Sequence, residues 1–199
     1  MKSLAPQGAL IGDMFLNKDN SSQGGSLLEL MVVILIIAIM AMITTPLLQN
    51  QIAGREIDSV ARRFITHAHL ARQQALNLGE QVLLRPATES SWDGGWVVQS
   101  GCLAKVSKSN CVSKDWFSQG AIDPVYFKGG GKQFIDPHSG KRGILFNAAG
   151  AAKTGHGGFV ANRLILGHAR ASGLERQLIL GSGGRWRICD PARDAKRCH

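Results

Sequence analysis

Gly24-Gly25-Ser26-Leu27-Leu28-Glu29-Leu30-Met31-Val32-Val33-Ile34-Leu35-Ile36-Ile37-Ala38-Ile39-Met40-Ala41-Met42-Ile43-Thr44-Thr45-Pro46 is the stretch that decides how this chain folds. From Leu30 to Ile43 no side chain is polar. Extended from Leu27 to Leu48, at ~1.5 Å per residue, it makes roughly 33 Å of helix, enough to cross a hydrocarbon core of about 30 Å. Such a segment near the start of a chain tethers it to a membrane or builds it into an assembly. The one carboxylate, Glu29, stands at the front of the apolar run. A carboxylate costs on the order of 2.5–3.5 kcal/mol at mid-membrane and less near the interface. It therefore needs a cationic partner, which makes Glu29 a functional candidate.

Working outward, the helix is expected to continue past Pro46. Ile57, Ala61, Phe64, Ala68, Ala71, Ala75 and Leu78 recur in steps of four and three, which makes one apolar stripe. Arg55, Glu56, Arg62, Arg63, Arg72 and Gln73 fall on the other face. Small alanines in the stripe permit close approach to a sheet, and Gly79 is placed to stop the helix. One helix is thus predicted from about Leu27 to Leu78, kinked near Pro46 and Gly54. Beyond it the pattern turns to short β runs: Gln81–Arg85, Gly95–Gln99, Val125–Phe127, Gly143–Phe146, Arg163–Leu166, Gln177–Leu180 and Arg185–Ile188. Residues 101–118 read as a Lys- and Ser-rich surface excursion, and Gly129-Gly130-Gly131 as a flexible turn. One long helix followed by strands predicts an α+β fold, the helix laid across antiparallel sheet.

The 199 residues leave, after a leader and a membrane stretch, enough chain for one globular domain. The formal net charge of +9 favours anionic partners: nucleic acid, lipid head groups or an acidic neighbouring subunit. The four cysteines, Cys102, Cys111, Cys189 and Cys198, all lie in the soluble part, and each neighbouring pair is spaced C-x8-C. In an exported domain this reads as disulfides. Three connectivities are possible, and the matched spacing favours Cys102–Cys111 and Cys189–Cys198. Each local loop would contribute roughly 2.5–3 kcal/mol on the chain-entropy model. The spacing is too wide for a zinc knuckle, so no metal or other cofactor is expected.

The segment around Glu29 resembles the class III signal of type IV pilins and type II secretion pseudopilins. The resemblance implies a prepilin peptidase that cuts after Gly24, leaving Gly25 as the N-methylated first residue and Glu29 as the fifth. Pro46 falls where pilins commonly carry a helix-kinking proline. The departure is Gly25, since the family usually begins its mature chain with Phe. A cut after Gly25 would leave Glu29 fourth. The implied organisation is a leader over 1–24, a transmembrane or filament-core helix over 25–49 and a globular domain over 50–199.

Further motifs narrow the resemblance. Ala71-Arg72-Gln73-Gln74-Ala75-Leu76-Asn77-Leu78-Gly79 is similar to the helix end of the GspH/FimT group of minor pilins. Trp92-Asp93-Gly94-Gly95-Trp96-Val97-Val98, Ile144-Leu145-Phe146-Asn147-Ala148-Ala149-Gly150 and Gly184-Arg185-Trp186-Arg187-Ile188-Cys189 resemble further motifs of that group, in order along the chain. Membership would imply a minor pilin of the type IV pilus, or alternatively a minor pseudopilin of type II secretion or a pilus-priming minor pilin acting through protein contacts. Expected partners are the prepilin peptidase, other pilins or pseudopilins, the inner membrane and DNA. The expected place is the inner membrane, single-pass, with a periplasmic globular domain, and then the filament. Glu29 would pair with the N-terminal amine of a neighbouring subunit during assembly.

The C-terminal strand carries the second candidate. Alternation puts Arg185 and Arg187 on one face, with Trp186 and Ile188 on the other, toward the core. Arg193, Lys196 and Arg197 follow in a loop that a Cys189–Cys198 link would close. Spaced arginines bind successive phosphates through their guanidinium forks. The resemblance implies that this Gly-Arg-x-Arg element binds DNA for uptake in natural transformation. An enzyme is not expected. His67 and His69 face different ways on a helix, and Gly155-His156-Gly157-Gly158 has no Gly-x-Ser-x-Gly elbow to accompany it. Gly129–Gly131 before Lys132 lacks the Walker spacing.

Overall fold

The structure, a computed structural model, describes residues 26–88, 91–101, 112–154, 158–181 and 184–198, without the side chains of Pro46, Leu47 and Arg197. Gly24, Gly25, Cys102 and Cys111 lie outside the described residues, and with them the cleavage site and the first disulfide expected above. Helix α1 runs Leu27–Leu78, uninterrupted at Pro46 and Gly54. The chain divides into two compact units, Met1–Met42 and Ile43–His199.

In the first unit every described residue, 26–42, is exposed. From Leu30 on, its part of α1 is apolar on all sides, and no described residue there is buried. By length and composition α1 contains a stretch able to cross a membrane.

In the second unit the rest of α1 packs on two four-stranded antiparallel sheets. The first has the order β3-β2-β1-β5, from Lys114–Gln119, Trp96–Ser100, Val82–Pro86 and Ile144–Phe146. The second has the order β4-β6-β7-β8, from Val125–Gly130, Asn162–His168, Glu175–Leu180 and Trp186–Cys189. The stripe Ile57, Ala61, Phe64, Ala68, Ala71 and Ala75 is buried, joined by Ala53 and Val60. The alanines let backbone approach backbone, and Phe64 fills the space between the sheets. Its ring meets Trp92 at 5.3 Å, Trp96 at 5.0 Å, Phe127 at 5.8 Å and Trp186 at 5.5 Å, each edge to face. Such geometry sets the positive ring edge against the negative π face. Trp96 comes from the first sheet, and Phe127 and Trp186 from the second, so one side chain joins both to the helix.

Four expectations are corrected. Leu78 is exposed, because α1 has run past the sheets by then. Lys114–Gln119 within the supposed surface excursion is a strand, paired with β2 and interrupted by a bulge at Val98/Gln99. Its alternation is blurred, since Trp116 and Phe117 are adjacent and both half-buried. Gly129 and Gly130 belong to β4 rather than to a loose turn. A side chain at Gly130 (φ +89°) would come within 2.2 Å of the Arg163 carbonyl, so glycine is required there. The register shift between Phe127 and Gly129 leaves Lys128 out of the ladder, where it pairs with Glu175. Finally, Glu56 and Arg72 are half-buried and engaged with the sheet, not turned to solvent as their helix face suggested.

Candidate nucleic-acid interface

The Gly-Arg-x-Arg element enters β8 from a tight hairpin. Gly184 donates to the Gly181 carbonyl at 2.9 Å, and Gly181 donates to the Arg185 carbonyl at 3.0 Å. Arg72 of α1 reaches the Gly184 carbonyl at 3.4 Å, which fastens the hairpin turn to the helix. Gly184 is buried with φ +75°, and a Cβ there would press on the Arg72 guanidinium. The Ala-Arg and Gly-Arg motifs of the sequence thus meet in space.

Arg185 precedes β8, and Arg187 lies within it opposite Ile179. Both arginines are exposed. Trp186 and Ile188 turn inward and pack against the core, but both are only half-buried, because β8 is an edge strand and lacks a neighbour on one side. Trp186 is held between Phe64 and Phe134, whose ring lies 6.1 Å away. The alternation that separates arginines from core is therefore present.

Of the remaining cations of the tail, Arg193 is placed by the loop that follows β8. A disulfide joins Cys189 and Cys198 with their Cα atoms 5.5 Å apart, and both are buried. It closes a loop in which Asp190 accepts from the Ala192, Arg193 and Asp194 amides. Arg193 is highly exposed and lies 3.6 Å from the Asp190 carboxylate, which offsets its charge. The same carboxylate takes Arg176 at 3.0 Å, and Arg176 reaches Asp58 of α1 at 2.7 Å. Arg193 thus stands at the end of β8 away from Arg185, beside an open groove of about 630 Å³ lined in part by Arg55, Asp58, Arg176 and Asp190. That groove carries balanced charge. Lys196 is exposed on the 3-10 turn Ala195–Cys198, which also contains Arg197. Glu29, the other candidate, is exposed in the first turn of α1.

Several engaged residues were not singled out by the sequence. Arg163 is exposed on β6, and the registers place it opposite Ile179, which is itself opposite Arg187. Its place on the outer face followed from strand alternation, but its neighbours did not, since register depends on turns. His168 is buried at the end of β6. Its Nδ1 accepts from the Arg170 amide at 3.2 Å and its Nε2 lies 2.6 Å from Glu56. The imidazole therefore carries its proton on Nε2 and donates it to the carboxylate. His67 accepts the indole N–H of Trp96 through Nδ1 at 2.9 Å and lies on Phe117 with ring centroids 3.7 Å apart. Burial, and then the nearby Arg63 charge, hold its pKa below 6.5. These contacts are structural ties between helix and sheets. Among the described residues no group of three or more His, Cys, Asp or Glu is placed to hold a metal ion.

The family model described as "Type II transport protein GspH" matches residues 60–184. The chain belongs to the GspH family. The GspH match covers α1 from Val60 onward and the sheets up to the hairpin, and it ends immediately before Arg185. This GspH-family chain is also similar to the type IV minor pilin FimU of Pseudomonas aeruginosa (strain PAO1), whose crystal structure shares 15% sequence identity with it. That likeness covers 73% of this chain and 96% of the other, with a TM-score of 0.48. No curated protein matches.

Proposed function

We propose that this protein is a minor pilin of the type IV pilus that binds DNA through the outer face of β8 for uptake in natural transformation. The observation that carries the reading is the split of one short strand: Arg185 and Arg187 stand exposed while Trp186 between them is held against Phe64. With half-buried Trp186 packed against the core between them, the two guanidiniums present charge from a strand rather than a loop, and their contacts would be to phosphates rather than base edges. Processing after Gly24, methylation of Gly25 and pairing of Glu29 with a neighbouring subunit's amine complete the proposal. In it the leader covers 1–24, the inner-membrane and filament-core helix 25–49 and the periplasmic domain 50–199. A second reading, a minor pseudopilin of type II secretion acting through protein contacts, is favoured by the description of the matching family itself.

Binding of the detergent-solubilised full chain to a random-sequence duplex at two salt concentrations separates the two. The pilus reading expects weak sequence preference and steep salt dependence. Arg185→Gln with Arg187→Gln should abolish binding with an unchanged melting curve, since both side chains are exposed. Trp186→Ala should instead lower the melting temperature, by less than a fully buried indole would. A double variant that binds as tightly as wild type would favour the pseudopilin reading.

A further inference from the structure

We infer that Arg163 is the third phosphate-binding cation of this face, so that a phosphodiester backbone crosses the sheet from β8 to β6 instead of following β8 alone. The inference rests on the DNA-binding reading and deepens it. Residues directly opposite one another in a ladder share a face, and the registers set Arg163, Ile179 and Arg187 in one row across β6, β7 and β8. Leu164, Leu178 and Ile188 form the next row on the core side. At ~4.8 Å between strands, Arg163 and Arg187 start about 10 Å apart, while Arg185 and Arg187 start about 7 Å apart along the chain. Long, extended guanidinium side chains on those three points span the spacing of neighbouring phosphates. Beside Arg163 and Ile179 lies an open hollow of about 350 Å³, lined also by Ala161, Gly181 and Cys198, with no carboxylate among the described residues of its lining.

Arg163 is also held in place. Its Nη1 donates to the Cys198 carbonyl at 3.2 Å and lies 3.5 Å from Gln177 Oε1. Both contacts use the same terminal nitrogen, at one corner of the planar fork. The Cys198 carbonyl is fixed by the disulfide to Cys189. A guanidinium held by one corner loses less freedom when a phosphate takes the other edge. The tail then acts as a positioning element for Arg163, which accounts for a disulfide loop that contributes a highly exposed but Asp190-paired arginine, Arg193.

The test uses the full chain in detergent and a fluorescent random-sequence duplex titrated at about 50 to 200 mM salt. Arg163→Gln should reduce the slope of log K against log salt by about 0.9, and Arg163→Lys, which keeps the charge, should retain the slope. In wild-type protein, phenylglyoxal should modify Arg163 readily, and duplex DNA should protect it; peptide mass mapping reads this without any substitution. An unchanged slope in Arg163→Gln, or equal modification of Arg163 with and without DNA, overturns the inference while the Arg185 and Arg187 double variant still loses binding. If the double variant also binds like wild type, the DNA-binding reading itself has failed.

Discussion

One helix meets two environments. In the first unit, Val32 is 45% exposed, Ile36 47% and Met42 77%, and no side of the helix is spared. In the second unit, Ile57, Ala61, Phe64, Ala71 and Ala75 are all at 0%, in a single stripe with polar residues opposite. The same backbone geometry serves both. The difference is that the first part offers a uniform apolar surface that only lipid or other apolar helices can cover, while the second offers a narrow seam that only its own sheets fit. The first part therefore suits an apolar surrounding, and the second contributes to the stability of the globular unit.

The comparison breaks most sharply at Phe64. Phe64→Ala removes the ring that four aromatic neighbours touch, and should destabilise the globular unit by roughly 3–5 kcal/mol. Unfolding followed by tryptophan fluorescence in detergent measures it, and a loss under 1 kcal/mol would mean that the seam is not the core. Next comes Ile36→Lys, which puts a charge amid the uniform surface. It should cost about 2.5–3.5 kcal/mol of membrane insertion and leave the globular melting curve where it was. Carbonate extraction of membranes reads the first effect. A fall in melting temperature would instead show that the two parts are not energetically separate.

The smallest effect concerns His67. Its pKa is lowered by burial and by Arg63, so the neutral ring is the form the fold favours. A depressed folded pKa means that this contribution is fully present above about 6.5 and is lost as pH falls through the lower folded value. Protonation also removes the acceptor for the Trp96 indole. Wild-type stability should decline with acidification in this range, with a change in tryptophan emission, and His67→Gln should flatten that part of the profile. An identical profile in the variant would remove His67 as its source.

Much of this was readable from the residues. The stripe from Ile57 to Ala75 and seven of the eight strands among the described residues follow from period and punctuation, because one face of each is apolar and turns bound them. The strand Lys114–Gln119 escaped because it carries its aromatics side by side at a sheet edge, where alternation is weakly enforced. At the candidate face, Arg185 and Arg187 were legible from alternation alone. The row that Arg187 shares with Arg163, and the hold of Arg72 on Gly184, depend on pairing between segments far apart in sequence, which no local pattern encodes.

The polar ties between helix and second sheet have a mechanical consequence. Glu56 to His168, Asp58 to Arg176 and Arg72 to the Gly184 carbonyl are spread over residues 56–72, roughly 24 Å of helix. A pull along the helix axis loads all three together, in shear, along with the interlocked Phe64. Rupture then requires them to fail jointly rather than one after another as in peeling.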